Sequence, residues 1–288
     1  MCGIVGLFIK RPGLEPQLGA HLATMLATMR DRGPDSAGFA IYGHETETVK
    51  LTIRGPALAA LAVTLGLEVD LRDTHAVLHV PDDRLAEVRE TLAAHPAITL
   101  VGEGHRMELY KEVGLPAAVA ARFGLAEMAG THAIGHTRMA TESAVTTDGA
   151  HPYSTGPDQC LVHNGSLSNH NALRRTLIRH GFTFETENDT EVAAAYLSWR
   201  MQEGDTLEAA LHAALSDLDG FYTFVVGTRT GFAVLRDPVC CKPAIMAETD
   251  DWVAFGSEYR ALVDLPGIDQ ARVWEPEPAR VYAWERAA

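Results

Sequence analysis

The first six residues, MCGIVG at 1–6, constrain this chain more than any other stretch. Removal of the initiator methionine would leave Cys2 as the amino-terminal residue, with an α-amine whose ordinary pKa is about 8. A thiol and a base on one residue form a self-contained nucleophile. The apolar pair between Gly3 and Gly6 predicts a strand, so Cys2 would lie at the mouth of a buried strand. The alternative interpretation is that Cys2 is a small buried hydrophobic residue.

The composition argues against several classes of function. The 288 residues are 47% hydrophobic, which supplies a full core for one or two domains. With 24 basic and 38 acidic residues the formal net charge is −14, which disfavours nucleic acid and anionic membrane surfaces as partners. No apolar run reaches the roughly 18–20 residues that cross a bilayer, and no signal peptide precedes the first strand. A cytoplasmic location is therefore expected.

The cysteines suggest neither a metal site nor a disulfide framework. Cys2, Cys160, Cys240 and Cys241 match no metal-binding spacing. The adjacent pair Cys240-Cys241 could be redox-active or contact a partner's cofactor, but two packed thiols on a turn are favoured. No metal and no organic cofactor is expected in this chain.

Hydrophobic periodicity divides the rest of the chain into segments of different character. An amphipathic helix is predicted over about 16–31, and strands at 38–42 and 48–53 are predicted to form a hairpin. Residues 56–130 follow a β-α-β-β-α pattern with few chemically reactive side chains, which indicates a small α+β insertion. Polar residues suited to catalysis are concentrated in 131–191.

Five short motifs carry most of these polar residues. They are CGIVG at 2–6, RGPDS at 32–36, HTRMAT at 136–141, HNG at 163–165 and DTE at 189–191. Taken singly, the later motifs also fit a Gly-Pro-Asp turn, an Asn-Gly turn and an aspartate at a helix start. In the second motif, Arg32 and Asp35 are predicted to brace the strand of Cys2 through a charge pair.

Together and in this order, the five motifs resemble class II glutamine amidotransferases, the branch of the N-terminal-nucleophile hydrolases that uses cysteine. The resemblance covers nearly the whole chain outside the insertion. It implies an α/β (α+β) fold of the four-layer αββα type, in which two mainly antiparallel sheets lie face to face between helix layers. The amidotransferase domain would span residues 2–288, with the α+β insertion at about 56–130.

The resemblance also implies which residues perform the chemistry. Cys2 would attack the side-chain amide of glutamine, and its own α-amine would move the proton. The side-chain amide of Asn164 and the backbone N–H of Gly165 would form the oxyanion hole. His136 and His163 are expected to support the site rather than act as bases, because the α-amine already fills that role.

Recognition of the substrate is assigned by the same resemblance. Arg138 would bind the α-carboxylate of glutamine, since a planar guanidinium suits a carboxylate bidentately. Asp189 would pair with the α-ammonium, and Thr141 and His151 would line the same pocket. Met139 departs from the aromatic residue that many members carry there, which would loosen the loop that closes over glutamine.

The chain ends where the amidotransferase domain of the family ends, so it resembles a detached glutaminase subunit. Such subunits include the amidotransferase-like subunits of glutamate-synthase-like and N-methylglutamate synthase complexes. The expected reaction hydrolyses L-glutamine to glutamate and ammonia, with ammonia passed to a partner synthase subunit in an oligomer. Two alternatives stay open. One is an amidohydrolase for another amide, against which Arg138 and Asp189 argue. The other is a non-catalytic scaffolding subunit, which retention of Met1 would favour.

Overall fold

The computed structural model describes residues 2–140 and 144–286. In chain order the strands are Gly3–Ile9 (β1), Ser36–Tyr42 (β2), Val49–Arg54 (β3), Glu68–Arg72 (β4), His75–Val80 (β5), Thr99–Gly104 (β6), Met107–Val113 (β7), His132–Arg138 (β8), Tyr153–Gly156 (β9), Gln159–Leu167 (β10), Gly220–Gly227 (β11), Gly231–Arg236 (β12), Ile245–Glu248 (β13), Trp252–Gly256 (β14), Arg272–Trp274 (β15) and Val281–Glu285 (β16). The α-helices are Leu18–Thr28 (α1), Leu58–Leu65 (α2), Leu85–Ala93 (α3), Pro116–Arg122 (α4), His170–Arg179 (α5), Asp189–Gln202 (α6) and Leu207–Asp217 (α7). Within these described ranges, no helix has the length and apolar character needed to cross a membrane.

Strand β1 lies in the interior of a seven-stranded sheet of order β15-β13-β14-β1-β8-β2-β7, between the antiparallel strands β14 and β8. Its side chains alternate between two cores, as the period of a strand requires. Ile4 and Phe8 pack between the two large sheets, whereas Val5, Leu7 and Ile9 pack against the helix layer. Because both faces are buried, the strand is apolar throughout, and its start is fixed in position.

The two large sheets and their helices form four layers. The second sheet has the order β16-β12-β11-β10-β9, and its inner face packs on the inner face of the first. Helices α1 and α4 cover the outer face of the seven-stranded sheet, and α5, α6 and α7 cover the outer face of the five-stranded sheet. This arrangement confirms the predicted αββα architecture.

A third sheet, of order β4-β5-β3-β6, has its own small core against α2 and α3. It spans 49–104, so its bounds differ from those expected for the insertion at both ends, and β7 instead joins the large sheet by pairing with β2. The predicted hairpin of β2 with β3 is wrong, since β3 pairs with β5 and β6. The physical reason is that Leu51 and Ile53 of β3 pack in the separate small core.

Candidate active site

One pocket of about 600 Å³ lies where the start of β1, the end of β8, the middle of β10 and the start of α6 meet. The sequence-predicted residues that line it are Cys2, Arg32, Arg138, His151, Asn164, Gly165 and Asp189. Two further residues of the sequence-based argument, Thr141 and Met1, lie outside the described residues. The fold therefore brings residues from all five motifs to one pocket.

The position of Cys2 is fixed by its own carbonyl group. The carbonyl oxygen accepts hydrogen bonds from Arg32 Nε at 2.9 Å and from Asn164 Nδ2 at 3.1 Å. On the pocket side, the backbone N–H of Met139 approaches the Cys2 sulfur at 3.5 Å. The thiol is thus half-buried and faces the loop that follows β8.

Arg32 and Asp35 both support this region, but not through each other. Arg32 Nη1 forms an ion pair with Glu258 Oε1 at 2.6 Å, and this hydrogen bond is the main cause that lowers the pKa of Glu258. Asp35 Oδ2 instead accepts the backbone N–H of Ala140 at 2.8 Å. The predicted charge pair between Arg32 and Asp35 is therefore wrong, because each side chain turns toward a different element.

Three hydrogen-bond partners outside β10 orient the side-chain amide of Asn164. Its Oδ1 lies 3.2 Å from His136 Nε2, which must donate, and its Nδ2 lies 3.3 Å from Ser257 Oγ. The third partner is the carbonyl of Cys2. The amide N–H groups consequently point toward the start of β1.

Gly165 follows Asn164 in a conformation that excludes a side chain. Its φ is +152°, and a Cβ at this position would lie 2.0 Å from the carbonyl oxygen of Phe221. Glycine is therefore required for β10 to approach β11 so closely here. Gly165 lines the same pocket as Asn164.

Three buried histidines adjoin the pocket, two of them (His151 and His163) in its lining, and all three are neutral near pH 7. Burial lowers the pKa of His136 to about 3 and that of His151 well below its ordinary value. Burial also lowers the pKa of His163, although the nearby Asp189 carboxylate opposes the effect. The rings of His136 and His151 stack at 4.1 Å, and Thr190 Oγ1 lies 2.8 Å from His151 Nε2 and 3.0 Å from His163 Nδ1. None of the three is therefore ionised as a general acid would be.

Among the charged side chains of the pocket, Arg138 and Asp189 hold a guanidinium and a carboxylate at defined positions. Arg138 ends β8, is 6% exposed, and donates from Nη1 to the carbonyl of Ala144 at 3.3 Å. Asp189 begins α6, and its Oδ2 accepts the backbone N–H of Leu167 at 2.9 Å. A cation and an anion in one pocket match the two charges of a free α-amino acid.

Sequence reasoning missed several residues of this site. Thr190 joins two histidines, Ser257 and Glu258 contact Asn164 and Arg32, and Lys242 lines the pocket with its ammonium 5.0 Å from the Phe221 ring. Thr190 lies within the DTE motif, and the Gly-Ser-Glu triplet at 256–258 and the Lys-Pro pair at 242–243 are weaker sequence signals for the other three. In the described part of the chain, no three His, Cys, Asp or Glu side chains group as metal ligands would.

Comparison with known proteins identifies the family. A family described as "Glutamine amidotransferase domain" matches residues 136–264. The chain is 62% identical to the glutamine amidotransferase-like protein GlxB of Rhizobium meliloti (strain 1021), over 99% of this chain and 98% of that one. It is 33% identical to a putative glutamine amidotransferase of Methanothermobacter thermautotrophicus, over 98% and 99% of the two chains.

Among solved structures, the fold is similar to that of glutamine phosphoribosylpyrophosphate amidotransferase from B. subtilis. The TM-score is 0.65 at 20% identity, over 99% of this chain. This chain spans only about half, 47%, of the length of that protein. The similarity therefore concerns the fold alone, over the matching part of that protein. The family assignment rests on the two relatives that match over nearly their full length. The chain belongs to the glutamine amidotransferase family.

Proposed function

We propose that the chain hydrolyses L-glutamine through a thioester on Cys2. The sulfur attacks the side-chain amide carbon, and the α-amine of Cys2, freed by removal of Met1, takes the thiol proton. Collapse of the tetrahedral intermediate breaks the C–N bond, and the same amine gives the proton to the leaving nitrogen, so ammonia departs. Water then attacks the thioester and releases glutamate and the thiol.

The contact between Asn164 and Cys2 is the observation that carries this proposal. An oxyanion donor must already be fixed where negative charge develops, which is next to the attacking atom. Asn164 Nδ2 lies 3.1 Å from the carbonyl oxygen of Cys2, and Gly165 borders the same pocket. The side-chain amide of Asn164 thus lies beside the residue that would form the thioester, and the N–H of Gly165 would be the second donor.

Selectivity for free glutamine is assigned to Arg138 and Asp189. A panel of amides tests this assignment on protein whose intact mass confirms loss of Met1. Glutamine should be hydrolysed, whereas Nα-acetylglutamine and glutamine α-amide should each lose about 10²-fold or more in kcat/KM, since each lacks one of the two charges that Asp189 and Arg138 would bind. Equal rates on all three amides would favour an amidohydrolase of another kind. A processed protein that hydrolyses none of them would favour a non-catalytic scaffold.

We further propose that the ammonia passes to a partner synthase subunit, of the glutamate-synthase-like or N-methylglutamate-synthase-like type that the sequence resemblance implies. A shielded path would keep ammonia unprotonated, and ammonium is a poor nucleophile. Co-purification from the native source, followed by glutaminase assay with and without the co-purified subunit, tests this step. A chain that purifies alone and is fully active alone would argue against the partner.

Arg32 is expected to act through the position of Cys2. In Arg32→Met the carbonyl of Cys2 loses one of its two donors, so kcat for glutamine should fall by roughly 10–10²-fold with little change in KM. Arg260→Met is the matched control, because Arg260 also pairs with Glu258 but does not contact Cys2. Equal kcat values in the two variants would show that Arg32 matters only through Glu258.

A further inference from the structure

The segment 144–152, between β8 and β9, separates two cavities. Thr146, Gly149 and His151 line the pocket that contains Cys2. On the other side lies a second cavity of about 390 Å³, which Asp148 and Tyr153 line. Residues 144–149 are at least partly exposed, whereas 150–152 are buried, so the conformation of the exposed part depends on specific contacts more than on packing.

Lys111 on β7 contacts this segment from the sheet beneath it, in addition to the contacts of Asp148 with Arg54 and of Thr147 with Glu112. Its Nζ lies 3.0 Å from the carbonyl oxygen of Ala150, 3.3 Å from that of Asp148 and 3.5 Å from that of Pro152. The ammonium also lies 4.5 Å from the centre of the Tyr153 ring. One buried cation thus binds three alternate carbonyls on the two sides of His151.

The intervening carbonyl, that of His151, is fixed by close packing. A Cβ on Gly38 would lie 2.2 Å from this oxygen, so the segment rests directly on β2. In the sheet, Gly38 pairs with Lys111 on one side and with His136 on the other. Lys111 therefore acts on the same patch of sheet on which the His151 ring stacks.

The segment in turn contacts Arg138 directly and reaches Asp189 through the neighbouring residue, Thr190. His151 Nε2 lies 2.8 Å from the hydroxyl of Thr190, the residue after Asp189. At its other end, the carbonyl of Ala144 accepts from Arg138, and a Cβ on Gly149 would lie 3.2 Å from Arg138 Nη1. A shift of the segment would consequently displace the groups that bind the two ends of an amino acid.

We propose that Lys111 is a positioning residue for glutamine binding, which sets the geometry of the Arg138 and Asp189 ends of the pocket through segment 144–152. The proposal rests on the proposed function. Lys111 contacts no residue that would react, so its effect should fall on KM rather than on kcat.

Lys111→Met tests the proposal, because methionine fills similar space without donors. We expect KM for glutamine to rise about tenfold, the loss of roughly one charged hydrogen bond, with kcat changed by less than about threefold. Lys50→Met is the matched control: Lys50 is equally buried, at 7% exposed, but pairs with Glu108 and does not contact the segment. Equal KM values in the two variants would overturn the proposal. Lys111→Gln, which keeps two donors, replaces Lys111→Met if that variant does not fold.

A pH profile separates positioning from a merely structural effect. The pKa of Lys111 is lowered to about 8, mainly by burial and also by the nearby guanidinium of Arg54. The carboxylates of Asp148, Glu191 and Glu185 act in the opposite direction and raise it. The neutral amine has two N–H donors for three carbonyls, so its contacts weaken as the pH rises through about 8. The KM ratio of Lys111→Met to wild type should therefore fall toward one between about pH 7 and pH 9.5. A ratio independent of pH would contradict the proposal.

Hydrogen exchange distinguishes failure of this proposal from failure of the proposed function. Backbone amides of 144–152 should exchange faster in Lys111→Met than in Lys50→Met. If the wild-type protein does not hydrolyse glutamine but Lys111→Met still exchanges faster, the proposed glutaminase function is refuted. The role of Lys111 in holding segment 144–152 is then retained. Active wild type with unchanged exchange and KM in Lys111→Met would refute the positioning role alone.

Discussion

Cys2→Ala is expected to reduce glutamine hydrolysis to background. Removal of the nucleophile from a hydrolase that forms a covalent intermediate costs on the order of 10⁶ in kcat, and no other thiol lines this pocket among the described residues. The fold should be little affected, because the Cys2 sulfur is half-buried and makes long contacts with the backbone of Met139. These are 3.5 Å to the nitrogen and 3.8 Å to the carbonyl oxygen. Binding of a partner subunit should also persist.

The measurement is ammonia release from glutamine, with thermal unfolding of the same samples. Cys241→Ala is the control, because Cys241 is exposed and does not line the pocket. It should retain the wild-type rate. Hydrolysis by Cys2→Ala at the wild-type rate would refute the thioester mechanism, as would equal losses in the two variants.

Secondary structure was predicted most accurately from the sequence where one local rule determines it. The apolar run 3–9 is β1 as expected, since both of its faces are buried. The helix expected over 16–31 is α1, at Leu18–Thr28, preceded by a 3-10 turn at Pro12–Gln17.

Side-chain partners were much harder to predict, because they depend on contacts distant in sequence. Arg32 pairs with Glu258, 226 positions away, rather than with Asp35 in its own loop. The same limit applies to the β2–β3 hairpin, where local turn residues suggested a pairing that the separate small core prevents. Motifs could indicate which residues meet in the pocket, but not which atoms bond.

The sequence around Lys111 indicates that this lysine is buried. On β7 it shares a strand face with Met107 and Leu109, both of which are buried, so period-two alternation places a cation on an apolar face. A buried lysine needs acceptors. The sequence alone could not show that these would be carbonyls of the segment that carries His151.

Asn164→Ala is expected to lower kcat for glutamine by about 10²–10³-fold with KM nearly unchanged. The reason is that an oxyanion donor stabilises charge that exists only in the tetrahedral intermediate, so its loss affects the chemical step rather than binding. The backbone N–H of Gly165 would remain, which is why the loss should be smaller than for Cys2→Ala. Asn164→Asp should be at least as slow, because a carboxylate would repel the oxyanion.

Asn169→Ala separates this effect from general loss of an amide side chain. Asn169 also bonds through both ends of its amide, to the carbonyl of Asp217 and the N–H of Asp219, but at an exposed site outside the pocket. Its variant should keep the wild-type kcat even where its stability falls. A rise in KM at constant kcat in Asn164→Ala would instead place Asn164 in substrate binding, and the oxyanion stabilisation would then have to come from Gly165 and groups other than this amide.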